Sequence, residues 1–147
     1  MRQAKSLIDE GHRHRIKITG NSEFKYSVKK ALRLIRIAGY YDFLRTYIRN
    51  IMEIDGLTQL RQADAAIWAN KYAMENTVDA ASVFVQKASH MKEYLEGKLY
   101  YGGQAEKRSD EKRIEFLEIL KKKSSNEKIR DECERLLGMW HESSLIY

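Results

Sequence analysis

The chain has 147 residues, 43 % of them hydrophobic and 33 % charged, which is enough apolar content for one sizeable core and too much charge for a membrane protein. The longest apolar run, Val83-Phe84-Val85 with small neighbours, is too short to span a bilayer, and Leu7-Ile8 alone does not make the apolar stretch of a signal peptide. Proline is absent and cysteine occurs once, at Cys133, which excludes collagen-like and Pro-rich chains, internal disulfides and a cysteine-built zinc site, and fits a reducing, cytoplasmic setting.

The net charge of +6 is unevenly distributed: residues 1–50 carry +8, residues 51–100 carry −2, and residues 101–147 are balanced. An acidic partner is therefore expected on the N-terminal half, nucleic acid or a protein. Residues 1–14 have no hydrophobic period and read as a basic arm. Arg15-Ile16-Lys17-Ile18-Thr19-Gly20 alternates polar and apolar residues, as a half-buried strand does. Asn21 or Ser22 then caps a helix whose core stripe is Phe24, Val28, Ala31, Ile35 and Ala38, with Lys25, Lys29, Arg33 and Arg36 on the opposite side and Gly39 as its stop.

A second helix is expected from about Tyr41 to Met52, burying Phe43, Leu44, Tyr47, Ile48 and Ile51 and turning Arg45 and Arg49 outward. Helical periodicity fails from Gly56 to Tyr72. There Ala65-Ala66-Ile67-Trp68-Ala69 reads as a strand, paired with Leu57 to Leu60. Asn76, with Asp79 three residues on, is an N-cap for a helix running to about Glu96 and ending at Gly97, with Ala81, Phe84, Ala88, Met91 and Leu95 as its buried stripe. A turn at Gly102-Gly103 leads to a helix from about Ala105 to Lys123, packed through Ile114, Leu117 and Leu120. After Ser124-Ser125-Asn126, Ser125 caps a last helix holding Ile129, Cys133 and Leu136 and ended by Gly138. The class is α+β, predominantly α-helical, with one domain over residues 15–147 behind the arm.

The stretch that bears on function begins Val83-Phe84-Val85-Gln86-Lys87-Ala88-Ser89-His90. It continues through Gly97-Lys98 and Tyr100-Tyr101-Gly102-Gly103 to Ala105-Glu106. This order resembles a bacterial family of compact zinc-metallopeptidase-like (zincin) domains. Their active helix reads apolar-apolar-apolar-His-Glu-Ala-x-His, followed by a Gly-Lys-type turn, a Tyr-x-Gly segment and an Ala-Glu pair opening the next helix. Ile18-Thr19-Gly20-Asn21-Ser22-Glu23-Phe24 is similar to the start of such domains. The specific part of the likeness spans residues 80–117.

In the HExxH motif two histidines four apart on a helix hold one zinc, the intervening glutamate is general base to the metal-bound water, and a later carboxylate completes the site. The resemblance aligns His90 with the second histidine and Glu106 with the distant carboxylate. Gln86 stands where the first histidine belongs and Lys87 where the base belongs. It therefore implies a minimal zincin-like domain with no metal, no cofactor and no hydrolysis. Such a domain would be a pseudo-metallopeptidase acting as a binding or regulatory module, in which Lys87 replaces the lost zinc charge by pairing with a buried Glu106. Taken alone, His90 reads as a hydrogen-bonded surface or half-buried histidine.

Two alternatives stand beside this reading. The basic residues Lys25, Lys29, Arg33, Arg36, Arg45 and Arg49, helped by Arg13 and Arg15, form either a nucleic-acid-binding surface or a solvated face. An active metal-dependent hydrolase with rearranged ligands is the third reading. His12 and His14 lie in a basic arm where neighbouring cations oppose metal binding. Cys133 on an apolar face is an inert thiol, and the helix dipole accounts for Lys121-Lys122-Lys123.

Overall fold

In a computed structural model, which describes residues 15–98 and 102–146, the first element is β1 (Lys17–Thr19), shorter than the run of alternation that announces it. It turns into α1 (Ser22–Ala38) through Gly20, where a Cβ would stand 2.6 Å from the Phe24 ring and 2.8 Å from a Glu53 carboxylate oxygen. Only glycine admits that approach. The Asn21 side chain accepts the Phe24 N–H at 2.8 Å as N-cap, and its own backbone N–H donates to Glu53 at 2.9 Å. At the other end Gly39 adopts φ 83° and the Tyr40 N–H bonds back to the Ile35 carbonyl, a Schellman-type stop. All five residues of the expected stripe are buried, and Leu32 and Leu34 join them.

The next helix, α2 (Tyr41–Tyr47), ends five residues before the expected Met52. Ile48 is already extended, and β2 (Asn50–Ile54) follows. The spacing of Leu44, Ile48 and Ile51 is that of a helix face, whereas the β-branched Ile48, Ile51 and Ile54 suit a strand. Pairing decides between them: the Arg49 carbonyl accepts the Lys17 N–H at 2.9 Å, while the Arg49 N–H donates to the Ala65 carbonyl at 2.7 Å. This threads the segment between two other strands, and the β-branched Ile48 and Ile51 are fully buried there.

Then come β3 (Gln59–Arg61) and β4 (Ala66–Asn70), joined through a 3-10 turn that ends on Ala65 at φ 49°. The expected strand at 65–69 exists one residue later as β4, and its expected partner at 57–60 exists one to two residues later as β3; the two pair antiparallel. The sheet order is β1-β2-β4-β3; β1, β2 and β4 are parallel, and β3 is the antiparallel edge.

Helix α3 (Thr77–Leu95) is the central element, in contact with α1, α2 and the two C-terminal helices. Ala81, Phe84, Val85, Ala88 and Met91 are sealed from solvent, while Leu95 is half-buried. The Asn76 side chain caps it by accepting the Asp79 N–H at 3.0 Å. Helix α4 (Gly103–Lys123) packs through Phe116, Leu117 and Leu120, with Ile114 only half-buried.

Helix α5 (Glu127–Ile146) departs from expectation at both ends. Its cap is Asn126, which accepts the Ile129 N–H at 3.1 Å, rather than Ser125. It runs through Gly138, where an added Cβ would meet nothing within 4 Å. A glycine without a left-handed conformation weakens a helix by about 1 kcal/mol and does not end it. The whole is a predominantly helical α+β domain. None of its described helices is long and apolar enough to cross a membrane. The expected arm over residues 1–14 and the Tyr-x-Gly portion at Leu99–Tyr101 lie outside the described residues.

Candidate functional site

Gln86, Lys87 and His90 all lie on α3, whose contact with α4 carries a series of polar side-chain pairs. Arg113 of α4 donates to the Asp79 carboxylate at 2.7 Å and to the Ser82 hydroxyl at 3.2 Å. The Gln86 amide donates to the Ser109 hydroxyl at 3.2 Å, and that hydroxyl donates to the Glu106 carbonyl at 3.0 Å. Arg108 grips Glu93 with two nitrogens, at 2.8 and 3.3 Å, and Glu93 is only 8 % exposed. Positions 79, 82, 86 and 93 recur at helical spacing, so these contacts form one antiparallel ladder between the helices.

His90 lies on the same face between the Gln86 and Glu93 rungs. Its imidazole is held below the ordinary value, first by burial and then by the Lys87 ammonium, with Glu93 opposing in part. Lys87 is half-buried, and burial together with the Arg113 guanidinium lowers its affinity for a proton. Glu106, on the first turn of α4, is exposed. Among the described residues no ion pair or hydrogen bond joins its carboxylate to Lys87 or His90, so the expected buried Lys87–Glu106 pair does not form. The physical reason is that Arg113 and Arg108 already connect α4 to the carboxylates of α3, and Glu106 turns to water from the helix N-terminus, where a carboxylate is favoured.

The residues present do not suit a zinc ion. Gln86, expected at a ligand position, is an amide bonded to a hydroxyl; Lys87, expected at the base position, is a cation, and Arg113 adds a second cation near it. Among the described residues no three His, Cys, Asp or Glu side chains converge closely enough to hold a metal.

A second candidate surface lies on α1. Lys25, Lys29, Arg33 and Arg36 are all exposed on its outer side. Lys29, Arg33 and Arg36 join Arg15 along a groove of about 400 Å³ whose apolar wall includes Ile16, Ile18 and Leu32. Arg45 and Arg49 do not belong to this face as expected. Both are half-buried, and each has a buried Nε with no hydrogen-bond partner among the described residues. Arg45 pairs with Asp42 at 2.8 Å, while Arg36 lies over the Tyr41 ring at 4.2 Å. The place of Arg49 follows from the early end of α2, which carries it out of the helix and to the sheet, whereas Arg45 stays on α2 and is drawn to Asp42.

Sequence reasoning missed Asp79 as more than a cap, and missed Ser82, Glu93, Arg108, Ser109 and Arg113 altogether. One signal was available: Ser82, Gln86 and Glu93 interrupt, at helical spacing, a helix otherwise apolar enough to be central. No protein family, characterised protein or solved structure matches the chain.

Proposed function

We propose that the chain is a non-catalytic, zincin-like binding domain, a pseudo-metallopeptidase whose former metal face has become a helix-to-helix seam. The observation that carries this reading is the Gln86–Ser109 hydrogen bond beside the half-buried Lys87. An amide and an ammonium at those two positions remove a ligand and the general base together, and the amide is engaged in holding α4. The one buried cysteine fits work in the cytoplasm.

The test is reconstitution with Gln86→His and Lys87→Glu in one variant. Imidazole at 86 joins His90 on the same face, and the exposed Glu106 has a free carboxylate to swing in as third ligand. Calorimetry is expected to detect zinc binding by the double variant and none by the parent chain. A folded double variant with no zinc affinity above the parent sinks the zincin reading.

A second reading, a nucleic-acid-binding protein, has one observation in its favour: four cations of α1 are exposed on one side and three of them line a groove with Arg15. Binding to generic DNA or RNA then weakens steeply with salt, and each cation removed lowers the slope of log K against log salt by a little under about one unit. Affinity that is flat with salt, or indifferent to charge reversal at Lys29 and Arg33, leaves those residues as a solvated face.

A further inference from the structure

The opposite flank of α1 holds a larger groove, of about 620 Å³, between α1, the start of α3 and the turn joining α4 to α5. Its floor is aliphatic, with Leu34 and Ile37 from α1 and Ile129 from α5. Tyr26 and Ile37 stand along it, 60 % and 44 % exposed, and are among the few large hydrophobic side chains left in water among the described residues. They are eleven residues apart on one helix, which spans roughly 16 Å at the helical rise. That length accommodates about three turns of a helix or five residues of strand.

Around this floor the rim is cationic. Lys30 and Arg33 come from α1 and Lys123 from the end of α4, and no carboxylate belongs to the described lining. Lys123 is drawn over the C-terminus of α1, its ammonium 3.4 Å from where a Cβ on Gly39 would stand. The free carbonyls and negative dipole end of α1 favour a cation there. Arg33 lines this groove and the one beside β1, so it forms the ridge between them.

We infer that this groove docks an acidic, amphipathic segment of a partner protein. The inference rests on the reading of the chain as a binding domain, and names its surface and the chemistry of its partner. Apolar side chains of the segment cover Leu34, Ile37 and Ile129, and its carboxylates meet Lys30, Arg33 and Lys123. The steering comes from charge and the residence from the apolar contact. A nucleic acid uses only half of these features. Phosphates gain nothing from Ile37 and Leu34, and the Tyr26 ring, the one aromatic among the described lining residues, has the Lys30 ammonium over its face at 5.1 Å.

The experiment is selection of a displayed library of random peptides on the full chain, followed by fluorescence anisotropy of the best binder. The expected winners combine carboxylates with apolar residues at helical or alternating spacing. Their affinity falls at least about tenfold in Ile37→Glu and in Arg33→Glu, with unchanged circular dichroism. It is unaffected by Lys107→Glu, an equal charge change at an exposed position elsewhere. Selection that enriches no acidic amphipathic sequence, or binding indifferent to Ile37→Glu, overturns the proposal. So does a single-stranded oligonucleotide that displaces the peptide and itself binds more tightly, with the same dependence on Arg33. These outcomes are separate from zinc reconstitution: restored zinc binding with no docking rejects the groove alone, and docking without restored zinc rejects the zincin origin alone.

Discussion

Gln86 on α3 and Ser109 on α4 are joined at 3.2 Å, and Ser109 is 3 % exposed. Ser109 is sealed in the seam while Gln86 is half-buried, so the hydroxyl is the partner costlier to leave unsatisfied. Ser109→Ala and Gln86→Ala are each expected to lower stability by about 1 kcal/mol, with the double variant losing less than the sum. Urea denaturation of the four proteins measures the coupling. Strict additivity means that the two side chains act independently and that the seam is held by Arg113 and Arg108 alone.

Lys87 provides the sharper contrast with the motif-based expectation. A cation paired to a buried Glu106 is destabilising to remove, but this ammonium is half-buried, repelled by Arg113 and unpaired to Glu106. Lys87→Met keeps most of the aliphatic stem and deletes the charge. It is expected to raise stability, by up to about 1 kcal/mol. A urea midpoint lower than that of the parent chain contradicts this account and points to a favourable contact of the ammonium.

The contrast between these two residues and the rest of the chain explains what the sequence could reveal. The stripes of α1 and α3 were legible because burial at helical spacing leaves a periodic pattern, and Asn21, Gly39 and Asn76 were legible because caps are local chemistry. The segment from Ile48 to Ile54 was not, since its conversion to strand depends on hydrogen bonds from Lys17 and to Ala65, which are distant in sequence. The end of the last helix was misjudged because a glycine stops a helix only in the left-handed conformation, and Gly138 does not adopt it. At the candidate site the positions of Gln86, Lys87 and His90 on one helix were readable from spacing. The choice of Arg113 for Asp79, and the exposure of Glu106, depend on the register between α3 and α4, which no local pattern encodes.

His90 gives the seam a pH dependence. Its folded pKa lies below the ordinary 6.5, first because of burial and then because of Lys87. The unfolded chain therefore takes up the proton first as pH falls. The stabilising contribution is present above the unfolded imidazole pKa and is lost as pH drops through the folded one. His90→Gln is expected to flatten the acid side of the stability curve below about pH 6.5, at a slope of up to about 1.4 kcal/mol per pH unit. Parallel acid limbs for the parent and the variant place His90 outside the titrating set. An NMR titration of its ring proton gives the same answer directly.

Cys133 carries the opposite linkage. It is fully buried on α5, and burial first, then the neighbouring Glu132, raise its thiol from 9.0 to about 11, with Lys121 opposing. The reactive species is the thiolate, so at pH 8 its fraction in the folded chain is about 100-fold below that of the unfolded chain. Maleimide is expected to label the native protein slowly and the urea-unfolded protein fast, which a timed mass measurement resolves. Because the folded pKa is raised, the thiol stabilises the fold fully below pH 9.0, and this contribution is lost as pH rises through about 11. Cys133→Ala costs about 1 kcal/mol for the missing sulfur. It is also expected to lose less stability than the parent between pH 9 and 11, and equal losses in the two proteins exclude the thiol as the source of that alkaline slope.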